Sequence, residues 1–459
     1  MLNIVNGIIL FVAVFFIYQT FLVILGFIVP SKKFKKTEVR HNFAIIISAR
    51  NEEMVIGQLL NSIKKQDYPS DKVTVFVCAH NCTDKTAEIA RDSGAVVFEY
   101  NNLKERRKGY ALRHSLSKIK EEYGDVYKFD GYFLFDADTI MAETYMTEMN
   151  KAFCNRRYDM YIGYLNSKNL DMGPVASYRS VQYFAANCSD VRPKSVIGTS
   201  TFMSGTGVLF RNHVLHDGFR WTGLAEDKEV VVSSVAQGYR STYVEAAKFY
   251  TENPTNLKII ARQTARWTKG GLFCFLKYFP LNALGVLFPF DWSKGRRSVA
   301  KKTKRKEKFP MWILIQVQKR LSNYDHAVSQ IPLWILSFFV GVIYPLIMVI
   351  YSLATGSSIA PHLMQVVWLY VLLYVNIFIR YSLTLLREYK QVRCDRWIFI
   401  WMFFWPIFDI IMDYIRFVNV FIPVKWKVIP RVDCRELEEI NEINKLGDYF
   451  KIGKKPKDK

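Results

Sequence analysis

Several common sequence motifs are missing from this chain, and each absence makes one class of cofactor or metal site less plausible. No G-x-G-x-x-G motif follows the first predicted strand, so a dinucleotide cofactor is disfavoured, and no Walker A motif is present either. The seven cysteines form an odd, scattered set, and the stretch from Cys78 to Cys82 has neither the spacing nor the second pair of a structural zinc site. We therefore expect reduced thiols, as is usual in the cytosol.

Acidic residues are scarce relative to basic ones. The chain of 459 residues has 41 Asp and Glu against 63 Lys and Arg, which gives a formal net charge of +22, and 50% of its residues are hydrophobic. A basic chain of this kind suits either nucleic acid or an anionic membrane. Long apolar stretches favour the membrane, and we expect no nucleic-acid partner.

The first long apolar stretch is near the N-terminus. Residues 4–29 are almost continuously apolar and exceed the ~20 residues that span a bilayer. The stretch is too long for the core of a signal peptide, and no cleavage site follows it. Four lysines come directly after it: Lys32, Lys33, Lys35 and Lys36. By the positive-inside rule, the sequence predicts a transmembrane anchor at residues 1–30 and a cytosolic domain after it.

From residue 42 onward, apolar runs of strand length alternate with helical stretches. Residues 43–48, 73–79 and 95–99 are the first strand candidates, and amphipathic helical patterns separate them. This alternation predicts a parallel sheet with right-handed crossovers, that is, a Rossmann-like nucleotide-binding half. Residues 139–257 show a mixed pattern.

The most informative stretch is an apolar run at residues 132–135 that ends in Asp136 and Asp138. Such a run is typical of a buried strand, and ligands of open α/β sheets bind beyond the carboxyl ends of the strands. Residues i and i+2 of a strand point to the same side, so both carboxylates are expected to face one point. Two hard oxygen ligands suit Mg²⁺ or Mn²⁺ that carries a diphosphate.

Four short motifs with acidic, basic and aromatic residues follow one another along the chain: Asp84, Asp136 and Asp138, Glu226-Asp227, and Gln263-x-x-Arg266-Trp267. In this order, behind a membrane anchor, the motifs resemble those of family 2 glycosyltransferases. More narrowly, they resemble the processive membrane synthases of cellulose, hyaluronan and chitin-type polymers. The resemblance extends over about residues 40–270 and, more loosely, through the later apolar blocks.

The resemblance implies a GT-A fold, an α/β domain with a Rossmann-like mixed sheet, inserted between transmembrane helices. The implied segments are an anchor (1–30), a cytosolic GT-A domain (40–257), amphipathic interface helices with a basic gating-type loop (258–325), a C-terminal transmembrane region (331–422) and a cytosolic basic tail (423–459). Residues 331–353 and 363–386 are each long enough to span a bilayer, residues 272–290 are expected at the interface, and residues 397–421 are ambiguous. The tail is expected to be partly disordered, with no regulatory domain.

Two charged features of the later chain have open interpretations. Residues 294–308 form a dense basic loop that suits anionic headgroups and, by resemblance, a gate over the nucleotide pocket. Asp409, Asp413 and Arg416 share one helical face. Such charges should face protein or a channel rather than lipid.

By resemblance, one group of residues binds the nucleotide sugar: Ala49, Arg50, Asn51, Glu52, His80, Asp84, Lys108, Asp136, Gln263 and Arg266. Asp138, together with Asp136, would hold Mg²⁺ or Mn²⁺, which stabilises a leaving diphosphate. The planar guanidinium of Arg266 suits the same diphosphate. His80 stands where the family often has Asp, so this chain departs from the pattern there.

The remaining implied residues act on the acceptor. Asp227 matches the family's general base, with Glu226 beside it, and a single base suffices for direct inversion. Ala225 stands where the family usually has Thr or Gly. The acceptor sugar would contact Trp267 and a loop of small residues: Ser204, Gly205 and Thr206.

These expectations combine into a membrane-embedded, processive, inverting glycosyltransferase of the bacterial cytoplasmic membrane. It would polymerise sugar from a UDP-sugar, UDP-glucose first and UDP-N-acetylglucosamine second, into an extracellular β-glycan and move the polymer across the membrane. Its expected partners are the donor, the growing glycan and membrane lipids. A non-processive enzyme that transfers one sugar to a lipid is the alternative, and a membrane scaffold that binds nucleotide without turnover is a third interpretation.

Overall fold

A mixed sheet of eight strands lies at the centre of the chain. The structure, a computed structural model, describes residues 17–289, 309–332, 334–423 and 430–450. The predicted basic loop at 294–308 lies outside the described residues, as does the start of the predicted N-terminal anchor.

The strands in chain order are β1 (Phe43–Ala49), β2 (Val73–His80), β3 (Val96–Tyr100), β4 (Gly131–Asp136), β5 (Ile140–Met141), β6 (Met160–Ser167), β7 (Val208–Arg211) and β8 (Ser241–Thr251). Their order across the sheet is β3-β2-β1-β4-β7-β6-β8-β5. The pairs β1–β2, β1–β4 and β2–β3 are parallel, as predicted for the nucleotide-binding half. The pairs β4–β7, β6–β7 and β5–β8 are antiparallel. The sheet is therefore mixed, which is consistent with a GT-A fold.

The helices in chain order are α1 (Ile17–Ile28), α2 (Ile56–Lys64), α3 (Thr86–Asp92), α4 (Lys108–Tyr123), α5 (Tyr145–Phe153), α6 (Pro174–Ala186), α7 (Arg192–Ile197), α8 (Glu226–Ala236), α9 (Leu257–Leu287), α10 (Phe309–Gln330), α11 (Trp334–Phe338), α12 (Tyr344–Thr355), α13 (Ala360–Glu388), α14 (Ile398–Trp401), α15 (Trp405–Phe421) and α16 (Leu437–Glu442). The bounds of β1, β2 and β3 lie within one residue of the predicted ones, because their apolar runs are strong and local.

Both faces of the sheet are buried, which explains why its parallel strands are continuously apolar. Ile46 of β1 packs into one hydrophobic layer and Ile45 into the other, because successive side chains of a strand point to opposite sides. In β4, Leu134 and Phe135 divide in the same way. The apolar run then ends, and Asp136 emerges at the carboxyl edge of the sheet.

Two of the described helices, α9 and α13, are long and apolar enough to cross a membrane, judged by length and composition. α9 is one helix of 31 residues that carries Arg266 and Trp267 in its first half. The predicted interface segment at 272–290 is therefore not a separate element, because it continues the helix that holds the Gln-x-x-Arg-Trp motif. The predicted span at 363–386 lies within α13.

Residues 331–353, the remaining predicted span, and residues 397–421, which the sequence leaves ambiguous, each form more than one helical segment. Residues 331–353 correspond to α11 and α12 with a π-helical segment, Phe339–Ile343, between them. Residues 397–421 form two helices, α14 and α15, of which the longer has 17 residues. Neither region contains a single continuous α-helix of spanning length.

Polar contacts attach α15 to the sheet domain. Trp405 is fully buried, and its indole N–H donates to Ser177 Oγ at 3.0 Å. Asp409 accepts hydrogen bonds from Tyr178 and from Gln182 of α6, both at 2.7 Å. The prediction that this charge faces protein is confirmed.

The segment from residue 430 onward folds back onto the sheet domain. Leu437 and Ile440 of α16 are buried against Ile140 of β5 and Tyr250 of β8. Residues 430–450 of the predicted tail are therefore packed against the sheet domain. A helix of six residues is too short to give a periodic pattern that sequence analysis could detect.

A buried arginine joins the sheet to α13. Arg192 is 2% exposed and forms ion pairs with Glu245 of β8, at 2.7 Å, and with Glu388 of α13, which is equally buried. The two carboxylates lie on different elements, so one guanidinium bridges them.

Replacing Arg192 by methionine should lower the free energy of unfolding by about 3–5 kcal/mol, because two carboxylates then lose the cation between them. Chemical and thermal unfolding of the full chain would measure the loss. Arg91→Met is the matched control, since Arg91 pairs with Glu99 on the surface, where both side chains are 51% exposed. That control should cost at most about 1 kcal/mol, and equal losses would contradict the bridging role.

Candidate active site

The predicted motifs converge on one cavity of about 650 Å³ at the carboxyl edge of the sheet. Its walls come from the ends of β1, β2, β4 and β8, the first turn of α8, one side of α9 and the loop before β7. Every predicted site residue except Asn51 and Asp84 lines it. Residues far apart in the sequence therefore share a single space.

The two carboxylates after β4 each have a cation as partner. Asp136 Oδ1 lies 2.5 Å from Lys108 Nζ, and Asp138 Oδ2 lies 2.5 Å from a guanidinium nitrogen of Arg431. The backbone N–H of Asp136 donates to the buried Thr206 Oγ1 at 3.0 Å. The loop of small residues thus holds the strand end that carries the carboxylates.

These carboxylates fit a divalent metal whose coordination a diphosphate completes. Mg²⁺ and Mn²⁺ prefer hard oxygen ligands, and Mg²⁺ is commonly bound by one or two carboxylates plus substrate phosphates. Among the described residues, no group of three His, Cys, Asp or Glu side chains is placed to hold a metal by itself. The cations already paired with Asp136 and Asp138 indicate that positive charge is stabilised at this point.

A buried lysine and a buried glutamate lie beside this pair. Lys108 Nζ donates to the Gly205 carbonyl oxygen at 2.5 Å. Burial acts to lower the pKa of Lys108, but Asp136 and Glu226 outweigh it, so the pKa is raised and the ammonium stays charged. Burial and then the charge of Asp227 raise the pKa of Glu226, against the opposing effect of Lys108.

Glycines allow this close packing. A Cβ at Gly109 would collide with the carbonyl oxygen of Trp221, so only glycine lets the start of α4, with Lys108, approach that loop. A Cβ at Gly205 would lie 3.5 Å from Lys108 Nζ and 3.7 Å from Asp227 Oδ2. Gly205 therefore lies between the cation and the acidic pair and keeps the space between them open.

Glu226 and Asp227 form the first turn of α8, where the helix dipole favours negative charge. Asp227 Oδ1 accepts the backbone N–H of Lys228 at 2.7 Å, which orients the carboxylate. Glu226 is 8% exposed, and Asp227 is less buried. Of the two, Asp227 is the carboxylate that a ligand in the cavity can reach more easily.

Gln263, Arg266 and Trp267 lie at helical spacings of three and four on α9 and line the cavity together. The guanidinium of Arg179 lies over the Trp267 ring, 4.3 Å from its centroid. This distance is typical of a cation–π contact. Arg179, which the sequence analysis missed, therefore covers one face of the Trp267 ring at the cavity wall.

Asn51 and Asp84 serve the loops instead of the cavity. Asn51 has a φ of +55°, which asparagine tolerates, and its amide bonds Thr83. Asp84 accepts the backbone N–H groups of Glu53 and Thr86. These contacts tie the turn after β1 to the turn after β2, and the nucleotide contacts expected of the two residues stay predictions.

Glu252 and Arg431 also line the cavity and were missed. Glu252 follows β8 as Asp136 ends β4, so the rule that ligand residues lie at strand ends could have found it. Arg431 lies 293 residues beyond Asp138 in the chain. No local pattern marks it.

The same set of motifs defines a sequence family. Residues 41–270 match the family model described as "Glycosyltransferase like family 2". The chain belongs to this family. By this match the chain is a member of the family 2 glycosyltransferases.

Individual relatives of this family 2 enzyme are distant. "Probable glycosyltransferase YdaM" of Bacillus subtilis is 22% identical over 261 residues, which are 53% of this chain and 60% of that protein. "Beta-monoglucosyldiacylglycerol synthase" of Nostoc is 21% identical over 261 residues, 54% of this chain and 53% of that protein. The matched region thus covers between half and two thirds of each of these bacterial relatives.

Among solved structures, the mannosyltransferase PcManGT from Pyrobaculum calidifontis, in complex with GDP-Man and Mn²⁺, aligns with a TM-score of 0.49 at 16% identity. The alignment covers 83% of this chain and 96% of that one.

Thr206→Val should weaken binding of UDP with Mn²⁺ about tenfold, because the Asp136 N–H loses its buried acceptor, a loss of about 1–3 kcal/mol. Titration calorimetry on the full chain would measure the affinity. Thr206→Ser keeps the hydroxyl and should bind as the parent protein does. If both variants bind equally well, the Thr206 hydroxyl does not position the carboxylates.

Proposed function

We propose that this protein is a membrane-bound, inverting glycosyltransferase that polymerises sugar from a UDP-sugar into a β-glycan. The observation that carries the proposal is the convergence of Asp136, Asp138, Lys108, Asp227 and Arg266 on one cavity. These groups supply the metal ligands, phosphate-binding cations and base that glycosyl transfer requires.

The donor diphosphate needs positive charge around it. Lys108 and Arg266 are cations on the cavity wall, and a guanidinium matches phosphate oxygens bidentately. Mg²⁺ or Mn²⁺, held by Asp138 and Asp136, would supply Lewis-acid stabilisation of the leaving diphosphate. The ends of β1 and β2, with Arg50 and His80, would face the nucleoside.

Asp227 acts as the general base. Its carboxylate takes the proton of an acceptor hydroxyl while the hydroxyl oxygen bonds to the anomeric carbon of the donor. The bond from that carbon to the diphosphate oxygen breaks at the same time, so the configuration inverts and UDP leaves. Glu226, whose pKa is raised by burial, is the less suitable base because it is less accessible.

Processive synthesis needs an extended acceptor site. A second cavity of about 300 Å³ shares Phe202, Lys228 and Ser329 with the first and continues toward α1 and α10. Polar side chains line it, among them the half-buried Gln19 and the buried His326. This polar continuation beyond Asp227 supports a glycan acceptor, and the apolar helices α9 and α13 support a membrane location.

Transfer of one sugar to a lipid is the second candidate. It is favoured by the similarity to the beta-monoglucosyldiacylglycerol synthase, whose name gives a lipid product. The apolar α9 carries the cavity residues Arg266 and Trp267, so a lipid held beside that helix would lie close to the site. The size of the product separates the two candidates.

The testing experiment is UDP release by the purified full chain in lipid nanodiscs, with Mn²⁺ or Mg²⁺ and single UDP-sugars, followed by sizing of the product. UDP-glucose or UDP-N-acetylglucosamine with a high-mass product supports the polymerase. UDP release with one short lipid-linked product establishes the second candidate instead. A folded protein that releases UDP from neither donor would contradict both.

Asp227→Asn should reduce the transfer rate by a factor of about 10²–10⁴, because the amide cannot accept the hydroxyl proton. Binding of UDP with Mn²⁺ should stay within a few-fold of the parent value, since Asp227 contacts the acceptor side. Asp217→Asn, at an exposed loop residue, is the control and should leave both unchanged. Loss of UDP binding in Asp227→Asn would assign the residue to the donor instead.

A further inference from the structure

The C-terminal segment enters the donor side of the cavity. Pro430, Arg431 and Val432 all contribute to its wall. Arg431 binds Glu52 through two hydrogen bonds, of 2.8 and 2.7 Å, and places its remaining terminal nitrogen 2.5 Å from Asp138 Oδ2. The guanidinium of Arg431 is therefore bound to Asp138, the carboxylate that would hold the metal in the proposed reaction.

The arginine is enclosed by acidic groups. The side chains of Arg431, Glu52 and Asp138 are only 13–14% exposed. Glu252 lies on the same side and accepts the backbone N–H of Val432 at 2.8 Å. Two carboxylates thus contact one cation that the chain itself provides, and the charge of a third, Glu252, also acts on it.

Arg431 belongs to a segment, residues 430–450, that is docked onto the sheet domain by further contacts. We call it the docked segment. Arg435 forms hydrogen bonds of 2.8 and 3.0 Å with Asp171 and further ones with Asp433. Lys65, directly after α2, also pairs with Glu438 at 2.6 Å, but both side chains are exposed, so this pair adds little. The contacts of Arg435 and the apolar contacts of α16 on β5 and β8 fix the position of Arg431.

A divalent metal and the guanidinium of Arg431 cannot both contact Asp138 Oδ2 from the same direction. A metal ligand oxygen lies about 2.0–2.6 Å from its ion, and the guanidinium nitrogen is 2.5 Å from Asp138 Oδ2. Two positive groups at that separation in a partly buried site also repel each other. A metal that takes Oδ2 of Asp138 would therefore release Arg431 from that oxygen.

We propose that the docked segment is an internal plug of the donor site, in which Arg431 stands in for the metal and is displaced by the metal–nucleoside diphosphate complex. The inference rests on the proposed function, since it takes the cavity to be a donor site. The plug must leave before metal and nucleotide bind. It therefore lowers their affinity by a factor set by the free energy of the plug contacts that break.

Removing the charge of Arg431 should change the affinity for UDP, and the direction of that change distinguishes a plug from a binding residue. A cation that simply helped to bind the diphosphate would, when removed, weaken nucleotide binding. A plug, when removed, strengthens it. Arg431→Ala should therefore bind UDP with Mn²⁺ about tenfold more tightly than the parent protein, within the usual range of coupling between sites. Arg431→Lys, with a single ammonium in place of the bidentate fork, should lie between the two.

The experiment is calorimetric titration of UDP in the presence of Mn²⁺ into the full chain, for the parent protein and three further variants besides these. Arg435→Ala loosens the docked segment and keeps Arg431, so it should also tighten binding. Lys65→Ala removes a surface pair whose side chains are 41% and 55% exposed and should change nothing. Glu99→Gln controls for a charge change far from the cavity.

A second measurement needs no variant. Hydrogen exchange of the parent protein should become faster at residues 430–435 when UDP and Mn²⁺ are added, because the Val432 N–H leaves Glu252. Weaker UDP binding by Arg431→Ala, equal binding by parent and variant, or increased protection of residues 430–435 would each overturn the plug and leave the glycosyltransferase site standing. A folded parent protein that binds no UDP with Mn²⁺ would overturn the donor site and the plug together.

Discussion

The sheet brings several carboxylates to one edge, and the site depends on cations that neutralise their negative charge. β1 and β4 are neighbours and parallel, so the residues after them, including Glu52 and Asp138, meet at the same end. Partly buried carboxylates are stable only beside cations or hydrogen-bond donors. Lys108 and Arg431 supply that charge here. In the proposed reaction a metal with its nucleotide would replace Arg431, so that donor binding would be an exchange of cations.

The position of α9 relates the chemistry to the apolar part of the molecule. Its first half carries Arg266 and Trp267 at the cavity, and the same helix continues into the stretch that is apolar enough to cross a membrane. Buried ion pairs and hydrogen bonds join α13 and α15 to the sheet domain as well. Arg266 and Trp267 at the cavity and the apolar half of α9 therefore belong to one continuous helix.

Local patterns allowed much of this arrangement to be predicted. The carboxylate pair was predictable because an apolar strand, its alternation and its end are all contained in seven residues around Asp136. Gln263, Arg266 and Trp267 were predictable because helical spacing places them on one side. Asn51 and Asp84 share the strand-end position of the cavity residues but turn away to bond neighbouring loops. Which way a loop side chain turns depends on tertiary partners, and the sequence pattern does not contain them.

Arg431 shows the limit of such analysis most directly. Its neighbours in the sequence suggested a basic tail, and basic residues are abundant in this chain, so nothing distinguishes this arginine before the fold is known. Its role comes from α16, a short helix whose two buried side chains find their partners on β5 and β8. Since those contacts lie outside the cavity, the proposed plug would let changes along the docked segment alter metal and nucleotide affinity while the other cavity residues stay the same.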